Sequence, residues 1–464
     1  MGVYMKQKTI KNNFITPIVS DSEWTAKYPK VDREYVWTYP LLHGPEEFRA
    51  KEIFSEPNVP IISNDLVVYI HLPACLFRCP MCPFYVELVK SREQIMGYAN
   101  LLIKELEMYE KTGVLSKYNL KAIYFGGGTA SLLFPDDVGK IVKNVMKCIK
   151  NDGNVEITLE GHPVLADYNY LSALHSVGVN RVSFGIQSFC DDDLRVMGLK
   201  QTAKSNFKTL ENATKLGFNT VSADMLYRLP NQKPNDVLIQ LNQFLETGIT
   251  SLSAYSLELS VRQGEQIKMQ ASEEEDKEMF YLINETLLHK NWNHTAQPDY
   301  SHKSHISEET VVTWKAPQGQ TLGLGAGACS SINGNTYFNV HSMEEYNNVI
   351  SEGCLPILSG QKYTLADAMS RYMVLGARCF NLPRKPFFDA FGIDMFDVFS
   401  NEIYQLSKLG LVSKDEDALN ITRDGKYYVD NISKTFYSLE NRCHVQPWGE
   451  KMKGAVAKDY LSII

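Results

Sequence analysis

The stretch Leu66-Val-Val-Tyr69-Ile-His71-Leu-Pro73-Ala-Cys75-Leu-Phe-Arg-Cys79-Pro-Met-Cys82 joins an apolar, β-branched run to three cysteines spaced C-x3-C-x2-C. Three thiolates on one loop can converge on one inorganic centre. A structural zinc ion would want a fourth protein ligand, and His71 is the nearest. Three cysteines on a [4Fe–4S] cluster would instead leave one iron open to a substrate, whereas most clusters take four. Three unrelated buried cysteines fit poorly, because three of the nine in the chain fall within eight residues.

Outward from this stretch a rhythm is repeated. Strands are expected at Leu66–Leu72, Lys121–Phe125, Val155–Glu160, Arg181–Ile186, Thr220–Leu226 and Ser251–Leu257. Amphipathic helices are expected near Arg92–Thr112, Pro135–Lys150, Tyr168–Val177, Ser205–Leu216 and Asn235–Thr247. The alternation implies a parallel sheet with helices outside, either a partial six-unit barrel or an open doubly wound sheet. Either places the site at the C-terminal ends of the strands. A further helix is expected from the charged run Ser272–Lys277 to His289, and residues 291–320 read as polar and irregular. Phe387–Phe391 and Val398–Leu409, a hairpin at Leu411–Val412 and Leu419–Ile421, and a helix Arg423–Phe436 suggest a winged-helix-like unit. The expected divisions are an arm (1–64), the core (65–300), an extension with a second glycine-rich segment (301–360), the helical unit (361–436) and a tail (437–464).

With 464 residues, 44% hydrophobic and 22% charged, the chain is ordinary globular material. A net charge of −7 provides no global basic field for nucleic acid. The longest apolar runs are far short of the roughly 20 residues a membrane span needs, and the basic N-terminus is not followed by an apolar signal core. Unpaired, scattered cysteines argue for a reducing, cytoplasmic setting.

The words around the cysteines carry a resemblance. Tyr69-Ile-His71-Leu-Pro73 precedes them. Phe125-Gly126-Gly127-Gly128-Thr129, Glu160-Gly161-His162-Pro163, Gly185-Ile-Gln187-Ser188-Phe189 and Asp224-Met-Leu-Tyr227-Arg-Leu229-Pro230 close the next four strands. In this order they resemble the radical S-adenosylmethionine (SAM) enzymes of the oxygen-independent coproporphyrinogen dehydrogenase-like family, from about residue 66 to 435. The resemblance implies an α/β fold, a partial (β/α)6 radical SAM barrel with an N-terminal arm and a C-terminal helical winged-helix-like domain. It implies a [4Fe–4S] cluster on Cys75, Cys79 and Cys82. SAM would be chelated at the open iron and cleaved to methionine and a 5′-deoxyadenosyl radical. It places Gly126, Gly127 and Gly128 at the SAM amino group, Thr129, Glu160, Gln187 and Asp224 around SAM, and Tyr69 near the sulfonium. A lone GGG is more often just a turn, and a lone strand-end carboxylate is more often a cap; the matching order is what reverses both. Leu324–Cys329 resembles the family's second SAM site, with Gly327 and Cys329 as lining residues, so two SAM molecules are expected.

Departures point within the family. Phe84 stands where the dehydrogenase carries a fourth cysteine, and Glu309-Thr-Val-Val-Thr-Trp314 stands where the haem-chaperone branch has its histidine word. Leu199 replaces a frequent arginine, leaving Arg181, Arg195 and Arg228 as alternatives for the SAM carboxylate. Cys82-Pro-Phe84-Tyr85 and Glu160-Gly161 resemble the class C methyltransferases and cyclopropanases of natural-product pathways, and the anaerobic haem-opening methyltransferases. There a second SAM, after hydrogen loss from its methyl, gives a methylene radical that adds to an sp2 carbon. The expected function is therefore C-methylation or cyclopropanation of a small unsaturated metabolite, with tetrapyrrole decarboxylation or haem opening as the alternative. Propionates would want basic residues at the pocket mouth, and Lys200, Lys204 and Arg228 are on offer. His162 and Tyr255 are candidate proton acceptors; His289, His294, His302 and His305 read as loop or surface residues. An electron donor such as flavodoxin or ferredoxin and a monomeric state are expected.

Overall fold

Each of the six apolar runs folds as a strand: β1 Asp65–Leu72, β2 Asn119–Gly127, β3 Glu156–Gly161, β4 Arg181–Gln187, β5 Thr220–Tyr227 and β6 Ser251–Ser256. They are parallel and in sequence order. The helices between them are Tyr98–Lys111, Pro135–Cys148, Tyr168–Ser176, Ala203–Leu216 and Pro234–Glu246. Local chemistry sets their ends. Pro135 occupies the first turn of its helix, with Asp136 and Asp137 at the positive end of the dipole. Thr202 and Ser205 form a capping box, and Gly217 ends that helix in the left-handed region. These observations come from a computed structural model that describes residues 21–28, 30–32, 35–40, 50–82, 84–258 and 269–442. Residues 1–20 and 41–49 of the expected arm and 443–464 of the expected tail lie outside them.

The parallel set sits inside a longer mixed sheet. Residues 292–302, expected to be irregular, form a hairpin of β7 Trp292–Ala296 and β8 Asp299–His302, which pairs antiparallel with β6. On the other side β9 Gln320–Leu324 runs parallel to β1. Antiparallel β10 Cys329–Ile332, β11 Asn335–Asn339 and β12 Ile357–Lys362 follow it. The order is β12-β11-β10-β9-β1-β2-β3-β4-β5-β6-β8-β7.

Alternation along β1 decides the layers. Leu66, Val68, Ile70 and Leu72 are at most 1% exposed and join the core under the helices. Val67 faces the other way, where Val67, Ala122 and Val312 form a separate small cluster flanked by Tyr124. Val312 belongs to the short helix Glu308–Thr313, also within the stretch expected to be irregular. This helix docks beneath β1 and β2, and Glu156, at the start of β3, accepts from Ser307 Oγ and Glu308 N–H. The inner face thus has a floor at the N-terminal ends of the strands.

The C-terminal unit has its own core. A three-stranded antiparallel sheet, Asn381–Pro383, Ala418–Ile421 and Val412–Lys414, packs with helices Leu365–Ala377, Arg384–Phe391 and Ser400–Lys408. The expected helix 423–436 is broken at Tyr428 into Arg423–Tyr427 and Val429–Thr435. Arg378, fully buried, ties the parts together: it pairs with Asp430 at 2.6 Å, binds the Gln297 carbonyl, and lies 3.9 Å from the Tyr35 ring centre. Among the described residues no helix is long and apolar enough to cross a membrane.

Candidate functional site

The cysteine loop leaves the C-terminal end of β1. Ala74–Cys75 pairs parallel with Glu87–Leu88, which clamps the base of the excursion carrying Cys79 and Cys82. Cys82 N–H closes a turn onto the Cys79 carbonyl at 3.0 Å. Thr129 Oγ1 lies 3.3 Å from Cys75 Sγ, so this residue supports the first cysteine directly. Burial pushes all three thiols up, Cys79 to about 11, and Cys82 adds to the rise at both Cys75 and Cys79. One buried and two half-buried thiols, with Cys82 raising both of the others, are a set that iron would discharge. The donors thus fit a [4Fe–4S] cluster, whose thiolates sit on different irons. A zinc site completed by His71 fits less well, because the His71 Nδ1 is 3.2 Å from Tyr69 Oη and the ring lies against Gly127 and Gly327.

Gly126–Gly128 form a cradle that has no room for a side chain. A Cβ on Gly126 would sit 2.9 Å from Tyr69 Oη and 3.0 Å from Glu160 Oε2; one on Gly128 would meet the Pro73 and Ala74 carbonyls at 2.8 Å and Cys75 Sγ at 2.9 Å. Gly127 has φ +110°, which glycine alone adopts without strain. The Gly127 N–H donates to Glu160. Tyr124 Oη donates to Glu160 Oε1 at 2.7 Å, and the Tyr124 ring stacks on Tyr69, 5.9 Å between centres. Tyr69, Gly126, Gly127 and Glu160 are therefore one patch across β1, β2 and β3, knit by Tyr124, which the sequence reading missed. The β2 alternation Ala122, Tyr124, Gly126 was its available signal.

Gln187 closes β4 at φ +69°, a strained conformation for a residue with a side chain, held by Gln240 Nε2 on its carbonyl at 3.0 Å. Asp224 on β5 is pushed well up by burial and by Glu160 and Asp299. Glu309, on the floor helix, is pushed up to about 7 by burial, with Asp299 adding to it. Asp299 accepts from Ser253 Oγ at 2.7 Å. Four carboxylates thus share the inner face, two of them in the region expected to be irregular.

The other expected residues fall out as follows. His162 Nδ1 accepts the Val164 N–H at 3.2 Å, which assigns the proton of a neutral ring to Nε2; burial lowers its pKa to about 4. The ring stands edge-on to Phe77 of the cysteine loop. Tyr255 stays a phenol, raised by burial and then Asp224, and its ring faces Tyr35 of the arm at 6.5 Å. Gly327 has φ +75°, and a Cβ there would lie 3.7 Å from the rings of His71 and His341. Cys329 starts β10, and burial pushes its thiol up to about 12 although Thr38 of the arm hydrogen-bonds it. His294, expected on the surface, is a core residue: Nδ1 bonds Asn284, Nε2 bonds Gln297, and the ring stacks on Tyr300 at 4.1 Å.

Of the three arginines, Arg181 opens β4 at the floor end and bonds Ser251. Arg195 is exposed and paired with Asp192. Arg228 follows β5 at the cluster end, 11% exposed, at φ +61°.

Residues 69–239 match the model of the radical SAM superfamily. This stretch, somewhat over a third of the chain, is similar to the radical SAM superfamily. Beyond this stretch the likeness extends over most of the chain. The chain is 26% identical over 376 residues to the heme chaperone HemW of Bacillus subtilis (strain 168), covering 79% of this chain and 98% of that protein. It is 23% identical over 421 residues to the oxygen-independent coproporphyrinogen III oxidase of Escherichia coli (strain K12), covering 86% and 91%. The solved structure of coproporphyrinogen III oxidase (HemN) from Escherichia coli, a radical SAM enzyme, superposes with a TM-score of 0.74 at 20% identity, over 88% of this chain and 99% of that one. The radical SAM fold is thus shared with it, and the cofactors are a [4Fe–4S] cluster and SAM.

Proposed function

We propose that the protein is a radical SAM enzyme acting on a tetrapyrrole, with oxidative decarboxylation of a propionate side chain as the reaction: the adenosyl radical takes one hydrogen atom, carbon dioxide leaves, and an external one-electron acceptor takes the remaining electron. The observation that carries this reading is the extent of the likeness: two relatives named for haem and coproporphyrinogen are matched over nearly their whole lengths. When bound, the cluster supplies the electron that breaks the C5′–S bond of SAM and releases the adenosyl radical. The Gly126–Gly128 backbone and Glu160 receive the amino-acid end, Asp224 and Gln187 face the nucleoside, and Arg228 takes the carboxylate in place of the arginine that Leu199 replaces. The sulfonium and ammonium of SAM would offset the charge of the inner face, where burial holds Glu160 and Asp224 up in pKa. The floor helix closes the inner face at the N-terminal ends of β1 and β2 against water.

One observation favours a second reading, methylene or methyl transfer from a second SAM to an sp2 carbon of a small unsaturated metabolite. The basic residues that a propionate would want do not gather: Arg228 contacts Glu258 at 3.5 Å, and Lys204 lines an outer cleft with Lys208 and Glu211. Gly327 and Cys329 would line the second SAM. Anaerobic assay of the reconstituted protein with SAM, dithionite and either coproporphyrinogen III or a pool of unsaturated metabolites separates the two. The tetrapyrrole reading expects 5′-deoxyadenosine and carbon dioxide in step, without S-adenosylhomocysteine. S-adenosylhomocysteine rising with 5′-deoxyadenosine replaces it with the second reading. Neither product from protein with a verified cluster defeats both.

A further inference from the structure

The end of β4 departs from its ladder. Phe184 pairs with Ala223 and Gln187 with Met225, so an extra residue of β4 lies opposite Asp224. Four consecutive carbonyls at this bulge are each met by a buried side-chain amide. Gln201 Nε2 donates to Gly185 O at 2.8 Å, Asn206 Nδ2 to Ile186 O and Ser188 O at 2.9 Å, and Gln240 Nε2 to Gln187 O at 3.0 Å. These three side chains are at most 5% exposed. At φ +69° the Gln187 side chain leaves the alternation of the strand and turns back over Gly185, where a Cβ would lie 2.9 Å from its Nε2.

Gln240 differs from the other two in what else it holds. Its Nε2 also donates to Leu226 O at 2.9 Å, so one amide bridges β4 and β5. With both hydrogens taken by carbonyls, its Oε1 accepts, and Gln232 Nε2 donates to it at 2.7 Å. Gln232 Oε1 in turn accepts the Leu229 N–H at 3.1 Å, and the Gln232 N–H returns a bond to Leu229 O at 3.0 Å. This closes a turn directly after Arg228. The chain of amides has one direction, because the carbonyls at one end only accept and the N–H at the other only donates. It runs from Gln187 to the turn that holds Asn231, at φ +64°, beside Arg228, at φ +61°. Left-handed conformations of such residues persist only where their surroundings fix them.

We propose that Gln240 and Gln232 are positioning residues for SAM: their amide chain locks the ends of β4 and β5 together, so that Gln187 and Arg228 are aimed before the cofactor arrives. The proposal rests on the reading that Gln187 faces the nucleoside of SAM and Arg228 its carboxylate. Neither Gln240 nor Gln232 touches SAM in that reading; both act through the backbone that carries those residues. Contacts organised in advance lose affinity when their support is loosened.

The test measures SAM affinity by calorimetry on full-length protein with its cluster reconstituted, and hydrogen exchange of the same protein without SAM. Gln240→Met removes both bridging bonds at similar side-chain length. Gln232→Met removes the amide that orients Gln240 and is bonded to neither Gln187 nor Leu226. Both variants are expected to weaken SAM binding about 10-fold or more, and Gln232→Met to speed exchange across residues 185–188. Gln318→Met is the control. Its amide is equally buried, at 5% exposure, and donates to Trp314 O at 3.0 Å and Tyr372 O at 3.2 Å, between the floor helix and the C-terminal unit. Gln318→Met should lose urea stability as Gln240→Met does, yet bind SAM within about two-fold of wild type. Unchanged SAM affinity in Gln232→Met, unchanged exchange at 185–188, or equal loss of affinity in Gln318→Met would each overturn the proposal, the last by reducing the amide chain to packing. If Gln240→Met does not fold, Gln232→Met decides alone. Failure of the underlying reading looks different: wild type with a verified cluster would then bind no SAM.

Discussion

Replacing Gly128 by alanine tests whether the glycine cradle shapes the cluster site. The added Cβ would lie 2.8 Å from two backbone carbonyls and 2.9 Å from Cys75 Sγ. Carbon contacts relax at about 3.5 Å, so its neighbours must retreat by roughly half an ångström or more. The carbonyls are held by the Ala74–Cys75 bridge and by Glu87 N–H on Pro73 O at 2.8 Å, which leaves the thiol as the softest of the three. Such a shift exceeds the tolerance of about 0.2 Å within which a metal site keeps its ligands. The overpacking itself costs about 1–3 kcal/mol, too little to unfold a domain of this size. Gly128→Ala is therefore expected to fold but to load less than about half the wild-type iron and sulfide after anaerobic reconstitution. Gly113→Ala is the control: φ is +76° with nothing within 4 Å, so it stores backbone strain of about 1–2 kcal/mol and loads iron fully. Wild-type iron in Gly128→Ala, or equal loss in Gly113→Ala, would refute the reasoning.

Glu105 is buried, pushed up to about 7 by desolvation, and accepts from Tyr346, Asn339 and the Gly325 N–H. Its folded pKa exceeds the unfolded value of about 4.3, so the folded state binds the extra proton and stability falls as pH rises from about 4.3 to about 7. Glu105→Gln should flatten that slope in urea midpoints taken at about pH 5 and about pH 8; identical slopes would contradict it. Because the His162 imidazole titrates near 4, His162→Asn is expected to keep 5′-deoxyadenosine formation while reducing product. Wild-type turnover should then show no inflection assignable to it near pH 6.5, and an inflection there that the variant abolishes would sink the assignment. Arg378→Met leaves Asp430 without its buried partner and should cost about 3–5 kcal/mol, part of it recovered by adding Asp430→Asn; additive losses in a denaturant cycle would show that the two residues do not act as a pair.

Much of the core was legible because buried parallel strands are continuous apolar runs with few alternatives. The six strands and four of the five helices fall within two residues of their expected ends, whereas the helix expected from Arg92 begins only at Tyr98, after a separate turn at Arg92–Ile95. Legibility failed where polar residues are buried by bonding to each other. His294, Asn284 and Gln297 form such a set; Asn335 donates to the Asn333 carbonyl, and Asn339 donates to Glu105 and the Gly325 carbonyl, with Asn333, Asn335 and Asn339 each at most 1% exposed. Composition reads these as loop, whereas the fold uses them to seat β7 and the β9–β12 extension. Thr129 and Tyr124 were hidden differently: position predicts which face a side chain takes, but not that one supports a cysteine and the other a carboxylate. Asp299 and Glu309 could not be placed without knowing that their segments return to the inner face.

The seat of the arm has a consequence for how the protein is made. Lys27 bonds Thr435, and Asp32 N–H bonds Asn431, partners some 400 positions apart in the chain. At about 5–20 residues per second, the ribosome makes the two halves of this seam at least roughly 20 seconds apart. Until residues 378 and 430–435 have been made, Tyr35 has no Arg378 to rest on. Nascent chains therefore pass through an open form, and synthesis of this late segment, rather than any ligand, first lets the arm close over the inner face.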